Sequence, residues 1–382
     1  MTVYLDNNAS TVLDERVLEA MRPYLAGPLW GNASSLHRHG RVMRSAVERA
    51  REQVARAVNA HPDQVIFTSG GTESNNLAVL GVAAAAPGPG RLLISAVEHA
   101  SLREPAHALA RRGWRVEEWP VDGEGRLRLD AVDPACGPAP ALVSVMAANN
   151  ENGVLQPVAE AAALWRPLGV PVHCDAAQAL GKVPVDFGGW GVQLMTLSAH
   201  KLHGPQGVGA LVVSQGAVLR PLLYGGRHER GLRPGTENVA GIVGFGAAAE
   251  LAVAELAERA ARMAALRERF EAGLRRLPGA VIFGDGAERL PNTVQFGLRG
   301  CHGETVLLQL DRAGIAVSSG SACHSGVNQP SHVLLAMGVA PELALTAVRV
   351  SFSPRNRAED VDRLLAALAE ITATRCAQET PA

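Results

Sequence analysis

The chain has almost no lysine. Of its 36 basic residues only Lys182 and Lys201 are lysines; the other 34 are arginines. Arginine replaces lysine on most surfaces but offers no nucleophilic amine, so chemistry that needs one has two candidates. Cysteine is scarce as well. Cys136, Cys174, Cys301, Cys323 and Cys376 are widely spaced and odd in number, which argues against a disulfide framework and for a reducing compartment. Without a C-x-x-C pair, a closed zinc site is not expected, and no metal is assigned. Charge of one sign is missing: a net charge of -1 gives no support to nucleic-acid or polyanion binding. No apolar run reaches the ~18 residues of a membrane span, and the first residues, Met1 to Asp6, carry no basic-then-apolar leader. The expectation is a cytoplasmic protein with no membrane or nucleic-acid partner.

What is present suits a globular chain. Hydrophobic residues make up 47% of the 382 positions, enough for a large core. From about residue 40 to 215, short apolar runs alternate with helix-like stretches. Val65–Phe67, Arg91–Val97, Ala141–Ala147, Val170–Cys174, Gln193–Leu197 and Gly207–Val213 read as strands. Asn75–Ala86 and Ser101–Arg112 read as helices between them. Such alternation predicts an α/β fold with a mostly parallel sheet covered on both faces, whose ligands sit at the carboxyl ends of the strands. After Gly241 the texture changes. Ala247–Leu274 reads as one long connecting helix, and Val281–Phe283, Thr293–Phe296 and Ala347–Phe352 as strands mixed with helices. A last helix is expected over Ala358–Thr372. The division expected is a large domain over residues 15–255 and a smaller α+β domain of residues 1–14 plus 256–382.

The polar clusters after each strand are the places to seek function. Thr68-Ser69-Gly70-Gly71-Thr72-Glu73 opens a helix with two glycines and a hydroxyl, an arrangement suited to an anion, although a plain turn and cap has the same look. Glu98-His99 and Asn149-Asn150-Glu151-Asn152 follow the next two strands; a structural histidine and an Asx-type turn are the plainer readings. Asp175 emerges from an apolar strand and needs a donor or cation. Lys201 follows the next strand, after Ser198 and His200; alone it fits an ion pair with Asp175. Together, an anion cradle, a strand-end Asp and a Lys 26 residues later match the needs of pyridoxal phosphate. These are a hold on the phosphate, a carboxylate that keeps the pyridine nitrogen protonated, and a Schiff-base amine. Lys182, in Gly181-Lys182-Val183-Pro184, reads as a turn residue with no chemistry assigned.

These motifs, with Tyr4-Leu5-Asp6-Asn7-Asn8-Ala9, Gly31 to His37, Asp175 to Gln178, Ser198 to Lys201, Gly231 to Asn238 and Ser318-Ser319-Gly320-Ser321-Ala322-Cys323, resemble the cysteine desulfurases over nearly the whole length. The resemblance implies an aspartate-aminotransferase-like fold (fold type I of the pyridoxal-phosphate enzymes) and a homodimer with active sites at the interface. It implies that L-cysteine becomes L-alanine while sulfur stays as a persulfide on Cys323, for iron–sulfur cluster assembly or another sulfur-transfer pathway through an acceptor or scaffold protein. By position, Lys201 resembles the Schiff-base lysine, Asp175 the pyridinium partner, Gln178 the residue on the ring hydroxyl and His99 the stacking acid/base. Gly71, Thr72, Ser198 and His200 match the phosphate cradle, and Thr236 the threonine that reaches the phosphate in the partner subunit. Asn150 and Arg349 match the groups that hold the substrate carboxylate; an Arg in an apolar strand suits a carboxylate clamp independently. Departures are His324 directly after the cysteine, Val327-Asn328-Gln329, and the absence of a glycine in Ser351-Phe352-Ser353-Pro354. A cationic His324 would favour the Cys323 thiolate; a solvated loop histidine is the bland alternative. A selenocysteine lyase or a non-catalytic scaffold of the same fold are the competing readings.

Overall fold

The computed structural model describes residues 2–319 and 329–378, with side chains as far as Ala373. Cys323 and His324 lie outside the described residues. The strands are β1 (Val3–Tyr4), β2 (Val65–Thr68), β3 (Arg91–Ser95), β4 (Arg115–Trp119), β5 (Leu142–Ser144), β6 (Val172–Asp175), β7 (Leu194–Ser198), β8 (Gly209–Val213), β9 (Ala280–Phe283), β10 (Thr293–Leu298), β11 (Ile315–Ala316) and β12 (Ala347–Ser351). The helices are α1 (Glu15–Leu25), α2 (Arg38–Ala57), α3 (Gly71–Ala85), α4 (Ala100–Ala110), α5 (Val158–Trp165), α6 (Phe187–Trp190), α7 (Val239–Ala254), α8 (Leu256–Leu274), α9 (Gly303–Arg312), α10 (His332–Ala336), α11 (Pro341–Ala344) and α12 (Ala358–Gln378).

Seven of the described strands form the main sheet, in the order β2-β8-β7-β6-β5-β3-β4. The run from β7 to β4 is parallel, and β8 is antiparallel to both β2 and β7. Alternation along each strand sends side chains to two cores. Val65 and Phe67 of β2 join α2, α5 and α7 on one face, through Val47, Ala50, Val54, Ala161 and Phe245. Ile66 joins α3 and α4 on the other, through Leu77, Val79, Leu102 and Ala106. Because both faces are covered, the inner strands are buried at nearly every position and mostly apolar, which is why they were visible as continuous runs. The edge strand β4 escaped the sequence reading. Its Arg115-Val116-Glu117-Glu118 is exposed or half-buried, so it lacks that signature.

A second, smaller sheet, β12-β10-β9, is antiparallel. Phe270 and Leu274 of α8, Leu310 of α9 and Leu364 and Leu368 of α12 pack with its Val294, Phe296, Val348 and Val350. The N-terminal strand β1 pairs with β11, and Asp6 bridges to Ser351. The expected single helix over Ala247–Leu274 is corrected. Two helices, α7 and α8, meet at Glu255 with a bend of 74°. Glu255 leaves helical geometry at φ -106°, ψ 9°, and its carboxylate is held by Arg259 at 2.6 Å and Arg16 at 3.2 Å. Neither Gly nor Pro marks the bend in the sequence. No single described helix is long and apolar enough to cross a membrane.

Candidate active site

The site is built over the carboxyl ends of β6 and β7. Gly70, with φ 152° and ψ -178°, holds a conformation open almost only to glycine, and turns the chain from β2 into α3. Gly209 of β8 is the second required glycine: a Cβ there would lie 2.7 Å from Gly70 Cα. Helix α3 begins with no side-chain cap. Its first N–H groups, including those of Gly71 and Thr72, are therefore available to an anion, with the positive helix end behind them. A Cβ on Gly71 would meet Ser198 Cβ at 3.6 Å, Thr196 Cγ2 at 3.8 Å and Ala177 Cβ at 4.0 Å, so this helix start sits directly over the two strand ends. The Ser198 hydroxyl is buried and has no hydrogen-bond partner among the described residues. A buried, unpartnered hydroxyl beside an uncapped helix end is what a phosphate site looks like before its ligand arrives.

Asp175, at the end of β6, is buried. Its Oδ2 accepts from Asn75 Nδ2 at 2.7 Å and its Oδ1 from Ala177 N at 2.9 Å. Asn75 also donates to Ser101 Oγ at 2.8 Å, and that hydroxyl lies 2.7 Å from His99 Nδ1. Ser101 N donates to the same Nδ1 at 3.1 Å. His99 thus caps α4, so the structural reading holds, and the same bonds leave Nε2 as the N–H of a neutral ring. Asn75 and Ser101, which sequence reasoning passed over, tie His99 to Asp175.

Lys201 does not take Asp175 as its partner. Its Nζ donates to the carbonyl oxygens of Asn8 at 2.6 Å and Ala9 at 2.9 Å. Burial, then the Arg349 charge, pulls its amine down to about 8, with Asp175 and Asp6 opposing. That shift enlarges the neutral fraction of the amine, which is what a nucleophilic lysine requires. His200 lies with its Nδ1 3.2 Å from Ser10 Oγ; burial first, then Lys201 and Lys182, lowers its pKa to about 4, so it stays neutral.

The N-terminal segment closes the other wall. Arg349 of β12 is buried; its Nη2 donates to Asp6 Oδ1 at 2.6 Å and its Nη1 to the carbonyl of Asn150 at 3.0 Å. Asn8 is a hub. Its carbonyl accepts from Lys201 and from Gln178 Nε2 at 2.9 Å, and its Nδ2 donates to Asn150 O at 3.2 Å and Thr293 Oγ1 at 2.9 Å. Lys182 joins this network. It does lie in a turn, but its amine is buried, 2.6 Å from Gln178 Oε1 and 3.3 Å from Asn8 Oδ1. Burial, then the charges of Lys201 and Arg349, holds it well below the usual lysine range. The signal for Lys182 was its rarity and its four-residue spacing from Gln178.

The structure therefore gathers Gly71, Asp175, Gln178, Ser198, Lys201, Asn150 and Arg349 around one crevice, with His99 linked through Ser101 and Asn75. Thr236 is exposed, on a loop tied to the cradle through Arg233 Nε to Glu73 Oε1 at 3.0 Å. Both flanks of the Cys323 segment reach the site. Ser318 N donates to Arg349 O at 3.1 Å, and Ser331 Oγ lies 2.5 Å from Glu151 Oε2. Of the other cysteines, Cys174 is fully buried, and burial, with Asp175 and Glu98 nearby, pushes its thiol well up, an inert setting. The residues present fit pyridoxal phosphate: an uncapped helix end with an orphan hydroxyl, a fixed carboxylate and an amine of lowered pKa.

Comparison with known proteins agrees with this geometry. The family described as Aminotransferase class-V matches residues 3–364. The cysteine desulfurase IscS of Dictyoglomus turgidum is 43% identical over 371 residues, covering 97% of this chain and 94% of that protein. A solved NifS-like protein superposes with a TM-score of 0.91 at 38% identity, over 98% of this chain and 100% of the other. A structure of SspA in complex with cysteine gives a TM-score of 0.81 at 30% identity, over 93% and 100%. Uncapped cradle, strand-end carboxylate, lowered-pKa lysine and near-full-length similarity converge: the chain belongs to the class-V aminotransferase family, and within it to the cysteine desulfurases, which depend on pyridoxal phosphate.

Proposed function

We propose that this cysteine desulfurase works through Lys201 and Cys323, with Asp175, Gln178, His99 and the α3 cradle holding the cofactor. The single observation that carries the reading is the Lys201 amine, just past the end of β7 over which the uncapped start of α3 lies, and drawn down to about 8 by burial and Arg349. Bound there, pyridoxal phosphate supplies an electron sink for the α-carbon of an amino acid. The chain's own residues do the rest. Arg349 offers its guanidinium, with Asn150 beside it, to the carboxylate of L-cysteine. Lys201, in its neutral form, takes the α-proton. His99, held through Nδ1 by Ser101, would stack on the cofactor ring and present an Nε2–H to it. The Cys323 thiolate attacks the substrate Sγ; the Cβ–Sγ bond breaks, its electron pair stays with the carbon fragment, and protonation there leads to alanine. The sulfur remains on Cys323 as a persulfide.

Two features support a role for Cys323. The backbone keeps it, five residues past Ser318, within about 18 Å of that anchor beside Arg349. Among the described cysteines, Cys136 is exposed, Cys301 half-buried and Cys174 core. We further propose a homodimer in which Thr236 reaches the partner's phosphate, with residues 15–255 as the cofactor-binding domain and 1–14 plus 256–382 as the smaller one. The exposure of Thr236 and the tie from Arg233 to Glu73 support this. An acceptor or scaffold protein then takes the persulfide sulfur for cluster assembly or another transfer pathway.

The test is alanine production from L-cysteine by the holoenzyme. Cys323→Ala is expected to abolish it while leaving cofactor absorbance unchanged. Undiminished alanine formation in that variant would remove Cys323 from the reaction and favour direct release of the chalcogen, the behaviour of a selenocysteine lyase.

A further inference from the structure

The second lysine has no part in the mechanism above, yet it is buried in the same crevice. Lys182 is held by two oxygens, Gln178 Oε1 at 2.6 Å and Asn8 Oδ1 at 3.3 Å. The setting disfavours its charge, and a neutral amine has two N–H bonds, which these two acceptors use. Gln178 is pinned at both ends. Its oxygen takes Lys182, and its Nε2 gives one hydrogen to Asn8 O at 2.9 Å, leaving one amide N–H for a ligand. Asn8 is likewise fixed on both sides. Its Oδ1 also receives Asn292 Nδ2 at 3.0 Å, and its carbonyl is the shared acceptor of Gln178 and Lys201.

We propose that Lys182 is a positioning residue for the cofactor, acting through Gln178 and Asn8 rather than touching the ligand. Its donation to Gln178 Oε1 fixes which end of the carboxamide faces the site. An amide turned the other way would present oxygen to the ring oxygen it is meant to donate to. Its second bond steadies the Asn8 side chain, and with it the carbonyl on which Gln178 and Lys201 meet. Removing the amine leaves Gln178 Oε1 buried without a donor, a state the side chain relieves by turning out of place. A thioether of similar length fills the space without supplying the donor, so Lys182→Met tests the bond rather than the packing.

The inference rests on the reading of Gln178 as a cofactor contact, and a double-mutant cycle separates the two. The quantity measured is the dissociation constant of pyridoxal phosphate for the apoenzyme, by fluorescence or absorbance titration, for wild type, Lys182→Met, Gln178→Ala and the double variant. Apoenzyme melting checks folding. Lys182→Met is expected to weaken binding about tenfold. In the Gln178→Ala background it is expected to add less than about threefold. Lys182→Gln, which keeps a donor, is expected to recover part of the loss. Unchanged affinity in Lys182→Met, or the same tenfold loss with and without Gln178, would overturn the positioning role while leaving the Gln178 contact intact. Unchanged affinity in Gln178→Ala would overturn the contact and the positioning role together. Should Lys182→Met not fold, Lys182→Leu carries the same cycle.

Discussion

The two walls of the crevice are made differently. One wall is the sheet: Asp175, Ser198 and Lys201 leave adjacent parallel strands, and α3 stands over them. The other is assembled from distant parts of the chain: Asp6 and Asn8 near the start, Asn150 in the middle, Arg349 near the end. The Arg349–Asp6 pair spans 343 positions and Asn8 to Thr293 spans 285. The sheet wall is rigid because its residues continue buried strands. The assembled wall is rigid only because each polar group has a partner on another segment, so loss of one partner propagates. On the function proposed above, cofactor chemistry belongs to the first wall and substrate holding to the second. Substitutions in the two walls should therefore separate into failures of chemistry and failures of binding.

The largest effect expected is on the sheet wall. Lys201→Ala should lower turnover by at least about 10⁴-fold, read as alanine formed from L-cysteine, with Lys182 unable to substitute. Residual turnover within tenfold of wild type would erase the distinction between the lysines. On the assembled wall, Arg349→Ala should reduce kcat/KM about 100-fold, mostly through KM, because a charge-assisted contact to the substrate carboxylate is lost. A drop in kcat with unchanged KM would move Arg349 into the chemistry.

Glu151 sharpens the comparison through pH. It is buried, 2.5 Å from Ser331 Oγ and 3.1 Å from Gln295 Nε2, and burial lifts its carboxyl to about 7 despite those bonds and Arg349. Its folded pKa lies above the ordinary 4.5. Its contribution to stability is therefore fully present below pH 4.5 and is lost as pH rises through 7. Glu151→Gln should flatten that loss, and at pH 8 should raise apoenzyme stability by about 2 kcal/mol in denaturant unfolding. An identical pH slope in variant and wild type would show the carboxyl already ionised at low pH. The smallest effect returns to the sheet wall. Asn75→Ala removes one of two donors to Asp175 and should weaken cofactor binding about tenfold, with little change in KM for cysteine.

The same contrast explains what could be read in the sequence. Asp175, Ser198 and Lys201 were legible because each follows an apolar run, and a polar residue there must face a ligand or a partner. The cradle was legible from Gly70-Gly71-Thr72. Asn8 was not: nothing near Asn7-Asn8 reveals a hub whose partners lie 142 to 343 positions away. The burial of Lys182 was hidden for a related reason, since only the fold turns the amine of its Gly-Lys-Val-Pro turn inward. The break between α7 and α8 was hidden among helix-forming residues, because neither Gly nor Pro marks it. Edge strand β4 lacked an apolar signature because one side of it faces water.

The central claim is that one lysine of the two carries the cofactor and the other only positions its surroundings. Borohydride reduction of the holoenzyme, followed by proteolysis and mass mapping, tests it most directly. The reduced cofactor's mass is expected on the peptide bearing Lys201, with none on Lys182. Label on Lys182 in the wild-type protein would contradict it.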